Sequence, residues 1–84
     1  MEKRLALIGI VVENTNSTEQ LNRILHEQGE YIIGRMGIPY RDRGVHIISV
    51  AMDAPNEVIS SLSGKLGMLP GVNVKTVYQK AGGK

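Results

Sequence analysis

The chain has 84 residues and a formal net charge of +2, from ten basic and eight acidic side chains. That length fits one domain, and the charge excess is too small to argue for a nucleic-acid surface. Cysteine is absent, which excludes disulfides, thiolate metal sites and cysteine nucleophiles together and leaves association between chains as the expected support for so small a core.

Leu5 through Val12 is an unbroken apolar run, β-branched toward its end. Such a run reads as a strand covered on both faces. The charged start, Met1-Glu2-Lys3-Arg4, is not followed by the small-residue cleavage site of a signal peptide. No apolar stretch approaches the ~20 residues of a membrane span. A cytoplasmic chain is expected, which makes the glycosylation triplet Asn16-Ser17-Thr18 a chance match. Asn14-Thr15-Asn16 breaks the strand, and Ser17 with Gln20 has the spacing of a capping box. Leu21, Ile24 and Leu25 then recur at helical spacing until Gly29.

Tyr31-Ile32-Ile33 opens a second strand that runs through Gly34 and Gly37 to Pro39. Arg41-Asp42-Arg43-Gly44 is turn-like, and Val45 to Met52 is a third strand, so a hairpin is predicted. Asp53-Ala54-Pro55 reads as a helix start, because proline in the first turn gives up a donor that has no partner there. Val58, Ile59, Leu62, Leu66 and Leu69 form the apolar stripe of this second helix. Gly64 and Gly67 weaken it, each by about 1 kcal/mol relative to alanine in a helix interior. Pro70-Gly71 ends it. Val72, Val74, Thr76 and Tyr78 alternate with Asn73, Lys75 and Gln79, as in a half-exposed strand. One domain over 1–80 is expected, with a fraying tail at 81–84.

This order predicts an α+β ferredoxin-like βαββαβ sandwich, a four-stranded antiparallel sheet with two helices on one face and strands one and three in the middle. Two helices cover only one face of such a sheet. Yet strand one is apolar on both alternating sets, with Leu5, Leu7 and Val11 behind Ala6, Ile8, Ile10 and Val12. Strand three sets Val45, Ile47 and Ala51 behind Ile48, Val50 and Met52. A bare apolar surface of several hundred Å² marks an interaction site. Packing against a second copy is the expected use, with Leu5, Leu7, Val45 and Ile47 in the interface.

The residues offer little chemistry. His26 on the first helix and His46 on the third strand show no metal-ligand spacing, so no metal site is expected. Ser60, Ser61 and Ser63 have no nucleophile-elbow sequence around them. Asp42, Asp53 and Glu57 fit turn, cap and first-turn roles, so no acid/base pair emerges and no enzyme is expected. RNA-recognition domains share the element order, but Arg43-Gly44-Val45-His46-Ile47-Ile48-Ser49-Val50 lacks their stacking aromatics. Direct nucleic-acid binding is not expected.

Two segments share the form Gly-basic-apolar-Gly: Gly34-Arg35-Met36-Gly37 in a strand and Gly64-Lys65-Leu66-Gly67 in a helix. Glycine there marks either close approach of a backbone or ligand, or a bulge in the first case and a helix end in the second. In the ligand reading Arg35 and Lys65 attract an anion. The turn Asn14-Thr15-Asn16 is a further candidate, since amides at a helix start hold carboxylates or phosphates.

Tyr31-Ile32-Ile33-Gly34-Arg35-Met36-Gly37-Ile38-Pro39-Tyr40, with Gly64-Lys65-Leu66-Gly67 and Pro70-Gly71-Val72-Asn73-Val74-Lys75, resembles a family of small iron-only hydrogenase system regulators. The resemblance runs over nearly the whole chain. It implies an ACT-like ferredoxin fold, similar also to the C-terminal ligand-sensing domain of the nickel-responsive repressor. That domain forms oligomers and holds metal through histidines and a cysteine. With no cysteine and no such histidine cluster here, the nickel site is not carried over and the cofactor stays unknown. ACT-type domains often bind amino acids at subunit interfaces near the first strand–helix loop, the place of Asn14, Thr15 and Asn16. The expectation is a non-enzymatic regulator that senses a small molecule as a homo-oligomer; the alternative is an interaction module with no ligand.

Overall fold

Six elements alternate along residues 2–80, which the computed structural model describes: β1 (Lys3–Val12), α1 (Thr18–Glu27), β2 (Ile32–Tyr40), β3 (Val45–Pro55), α2 (Asn56–Gly67) and β4 (Val72–Tyr78). The tail expected at 81–84 lies outside the described residues. Single 3-10 turns precede α1, β2 and β3. The strands pair antiparallel in the order β2-β3-β1-β4. This is the ferredoxin-like arrangement, with the two doubly apolar strands in the centre.

One set of alternating residues builds the core. Ala6, Ile8, Ile10 and Val12 of β1 stand beside Ile48, Val50, Met52 and Ala54 of β3, all buried. Leu21 and Leu25 of α1 and Ile59, Leu62 and Leu66 of α2 cover them. Leu69 joins this cluster from just past the end of α2, where its amide donates to the Leu66 carbonyl at 3.2 Å. On α2, the Ser63 hydroxyl also meets Thr76 Oγ1 of β4 at 3.0 Å.

Two local expectations are corrected. Ser17 makes no capping bond: it already has helical backbone angles, and its buried hydroxyl donates instead to the Pro70 carbonyl at 2.7 Å. The capping spacing was present, but the hydroxyl ties the β1–α1 turn to the α2–β4 turn. The helix start at Asp53-Ala54-Pro55 is also wrong. These residues extend β3, because Ala54 continues the buried alternation and pairs with Arg4, while Pro55 pairs with Lys3. The helix begins at Asn56.

The two turns meet closely. The Glu13 amide donates to the Gly71 carbonyl at 2.7 Å, and Asn73 Nδ2 donates to Glu13 Oε2 at 3.2 Å. Gly71 has φ 69°, and a Cβ there would lie 2.6 Å from that of Asn14. Only glycine meets both conditions. Gly44, with φ 65°, closes the β2–β3 hairpin in the same left-handed region.

Candidate functional site

Among the described residues, no helix lies over the reverse side of the sheet. Leu5, Leu7 and Val11 of β1 point to this side, as do Val45, Ile47 and Ala51 of β3, which pair in register with their neighbours. All four interface residues read from the sequence lie there: Leu5 and Leu7 are 46% exposed, Ile47 is 42% exposed, and Val45 is half-buried. Val77 of β4 extends the patch at one edge opposite Leu7, before Lys75 and Asn73 make that strand polar.

The sequence reading missed the contribution of β2. Ile38 pairs with Ile47 and Tyr40 with Val45, so Met36, Ile38 and Tyr40 also face the open side, each 46–62% exposed. The hairpin turn carried that information, because pairing Tyr40 with Val45 fixes which alternate residues share a face. Further along, the register shifts between Ile32 and Gly34: Ile32 faces Met52, and Gly34 faces Ala51. The unpaired residue, Ile33, is 64% exposed and joins Leu5, Leu7, Ala51 and Val77 around a shallow depression of about 400 Å³.

That bulge also governs the helix-facing side of β2. Ile32 and Arg35, three positions apart, both face the helices, since their partners Met52 and Val50 belong to the core. With Asn22, Leu25 and His26 of α1 and Gly29 they line a groove of about 400 Å³. Arg35 Nη2 donates to Asn22 Oδ1 across it at 2.9 Å. Toward the hairpin tip the helix cover gives out, and Gly37 and Pro39 are exposed.

The other residues named from the sequence lie apart from this groove. Asn14 Oδ1 accepts from the Asn16 amide at 3.0 Å, closing the turn that contains Thr15. Gly64, Lys65 and Gly67 are exposed on α2, and Lys65 does not line the groove. A Cβ on Gly34, Gly37, Gly64 or Gly67 would have no atom of the chain within 4 Å, so no backbone in the described chain approaches these positions. Gly34 instead follows the bulge and Gly67 ends α2. Among the described residues no group of three or more His, Cys, Asp or Glu side chains could hold a metal ion, and no helix is long and apolar enough to cross a membrane.

Residues 4–76 match the TM1266-like family, described as "Iron-only hydrogenase system regulator, putative". The chain belongs to this family. Its structure is similar to that of the uncharacterized protein TM1266 from Thermotoga maritima, with 41% identity and a TM-score of 0.90 over 94% of this chain and 100% of the other. The fold alone recurs in the C-terminal domain of the MgtC protein from Mycobacterium tuberculosis, at 12% identity and a TM-score of 0.71, covering 93% of this chain and 89% of that one. It recurs again in a formyltetrahydrofolate deformylase from Pseudomonas putida KT2440, at 16% identity and a TM-score of 0.63, where 87% of this chain matches 28% of the enzyme. No curated protein matches the chain. Membership of the TM1266-like family supports a regulatory role.

Proposed function

We propose that this member of the TM1266-like family is a non-catalytic, small-molecule-responsive regulator that works as a homodimer, with the open face of one sheet against that of its copy. The open face carries the reading. It exposes apolar side chains from β1, β2 and β3, with Asp53 opposite Leu5 at one end and Ser49 opposite Gly9 as the polar positions of β3 on that side, and a contiguous apolar surface left open in this way marks an interaction site. A two-fold axis through the face sets the same patch against itself, so a second copy supplies matching apolar surface without a separate partner. Stacked sheets of this kind bury their side chains in a layer about 10 Å thick.

Leu7→Lys tests the reading. Leu7 sits on a central strand in mid-patch, pairing with Ala51 on one side and Val77 on the other. Wild-type protein is expected to sediment as a dimer at micromolar concentration, and the variant as a folded monomer, because a lysine there is desolvated without a partner. A wild-type monomer, or a variant that still dimerises, would overturn it.

The alternative, an interaction module with no ligand, draws on one observation. In the Asn14–Asn16 turn, Asn14 Oδ1 accepts from the Asn16 amide and the Asn14 carbonyl accepts from the Ser17 amide, so the Asn16 amide is already used within the turn. Native mass spectrometry of protein purified without added ligand separates the two: a co-purifying small molecule supports sensing, and a clean apo-dimer supports the module.

A further inference from the structure

We infer that the groove between α1 and β2 is a binding site for a small carboxylate with a short apolar body. Three observations converge on that chemistry. First, the groove has a cation at its exposed rim. Arg35 crosses to α1 and donates Nη2 to Asn22 Oδ1 at 2.9 Å, so its guanidinium is oriented by a neutral amide and its charge is left for another partner. A carboxylate takes two parallel hydrogen bonds from such a planar fork. Second, no acid among the described residues lines the groove. Its lining is Asn22, Leu25, His26, Gly29, Ile32 and Arg35, so an arriving anion meets an arginine, an imidazole and an amide. Because Asn22 Oδ1 is taken by Arg35, its Nδ2 remains as a donor. Third, the floor is apolar. Leu25 is 1% exposed and Ile32 packs against the core, and the space of about 400 Å³ lies in the range of small-molecule sites.

The β2 bulge reconciles the spacing of Ile32 and Arg35 with a shared face. In a regular strand, residues three apart point to opposite faces. The extra residue at Ile33 lets Ile32 form the floor while Arg35 supplies the charge on the same side. Bulges commonly re-aim a side chain in this way beside functional sites.

The inference deepens the sensing reading by naming a site and a ligand class, and it does not require the dimer. The test is a titration of the 15N-labelled full chain with butyrate, with n-butanol and inorganic phosphate as controls, followed by amide shifts. Butyrate is expected to move the signals of Asn22, His26, Gly29 and Arg35, and both controls to have far weaker effects. Arg35→Met should weaken the butyrate response at least about tenfold, as loss of a charge-assisted hydrogen-bonded partner does. Arg35→Lys should retain part of it, and Asn22→Ala should reduce it. Arg35 lies off the open face, so sedimentation of Arg35→Met should match wild type. An equal response to butanol, or undiminished butyrate binding by folded Arg35→Met, would remove the cation from the site. An equal response to phosphate would remove the apolar body. The oligomer is scored separately by sedimentation, so its failure does not decide the groove.

Discussion

Individual residues in this chain are constrained very unevenly, and the glycines show it. Gly71 combines a left-handed backbone with a 2.6 Å approach to the Asn14 Cβ, so Gly71→Ala pays both conformational strain and a clash against backbone-anchored atoms. Thermal or urea unfolding should show a loss of at least about 2 kcal/mol. Gly64 is the opposite case. It lies inside α2 with nothing within 4 Å of its missing Cβ, so Gly64→Ala should stabilise the fold by about 0.5–1 kcal/mol. The repeated Gly-basic-apolar-Gly pattern was visible in the sequence, but the difference in constraint between its glycines and Gly71 was not. That difference depends on which loops meet, and Asn14 and Gly71 are brought together only by the pairing of β1 with β4. Ser17 repeats the lesson. Its spacing to Gln20 spelled a cap, and a carbonyl from a distant turn claimed the hydroxyl.

Among the elements, the central strands are readable because both of their alternating sets are apolar, which leaves continuous apolar runs although only one set is buried under the helices. The open face of β1 and β3 was therefore legible at Leu5, Leu7, Val45 and Ile47. β2 was not. Its glycines and the bulge interrupt the period-two pattern, and one unpaired residue reverses the facing of everything before it. The end of β3 was misread for a related reason: Pro55 fits a helix start, yet pairing with β1 carries the strand on to it. Two deletions test the β2 register directly. Deleting Ile33 should leave a regular ladder with Arg35 still opposite Val50, and so preserve the butyrate response. Deleting Met36 should let the slack at Ile33 close, moving Arg35 opposite Ser49 on the open face and abolishing the response. Both variants should keep the far-UV circular dichroism of the parent. An unchanged response after Met36 deletion would show that the groove does not depend on register.

For the molecule as a whole, the described residues span 41 × 23 × 19 Å, an elongated body whose sheet has a covered side and a bare one. The proposed association rests on apolar area rather than on charge, and the formal charge of the chain is only +2. Its dimerisation constant should therefore change little between about 0.1 and about 1 M sodium chloride, where exposed ion pairs are screened away. Sedimentation equilibrium across that range checks this, and a steep fall in association with salt would point to an electrostatic contact instead. Composition could not reveal this division of labour. The total of apolar residues is ordinary for a small domain, and only the sheet register places so many of them on the side without helices.

The kink at Ile33 has one more consequence. It is a hinge-like irregularity shared by two surfaces, with Arg35 a short step away on one side and Ile33 and Met36 on the other. If a guest molecule in the groove favours one setting of that stretch and self-association favours the same one, thermodynamic reciprocity makes each strengthen the other by an identical factor. A few residues of edge strand would then carry a message from one side of the sheet to the other, with no rearrangement of the helices.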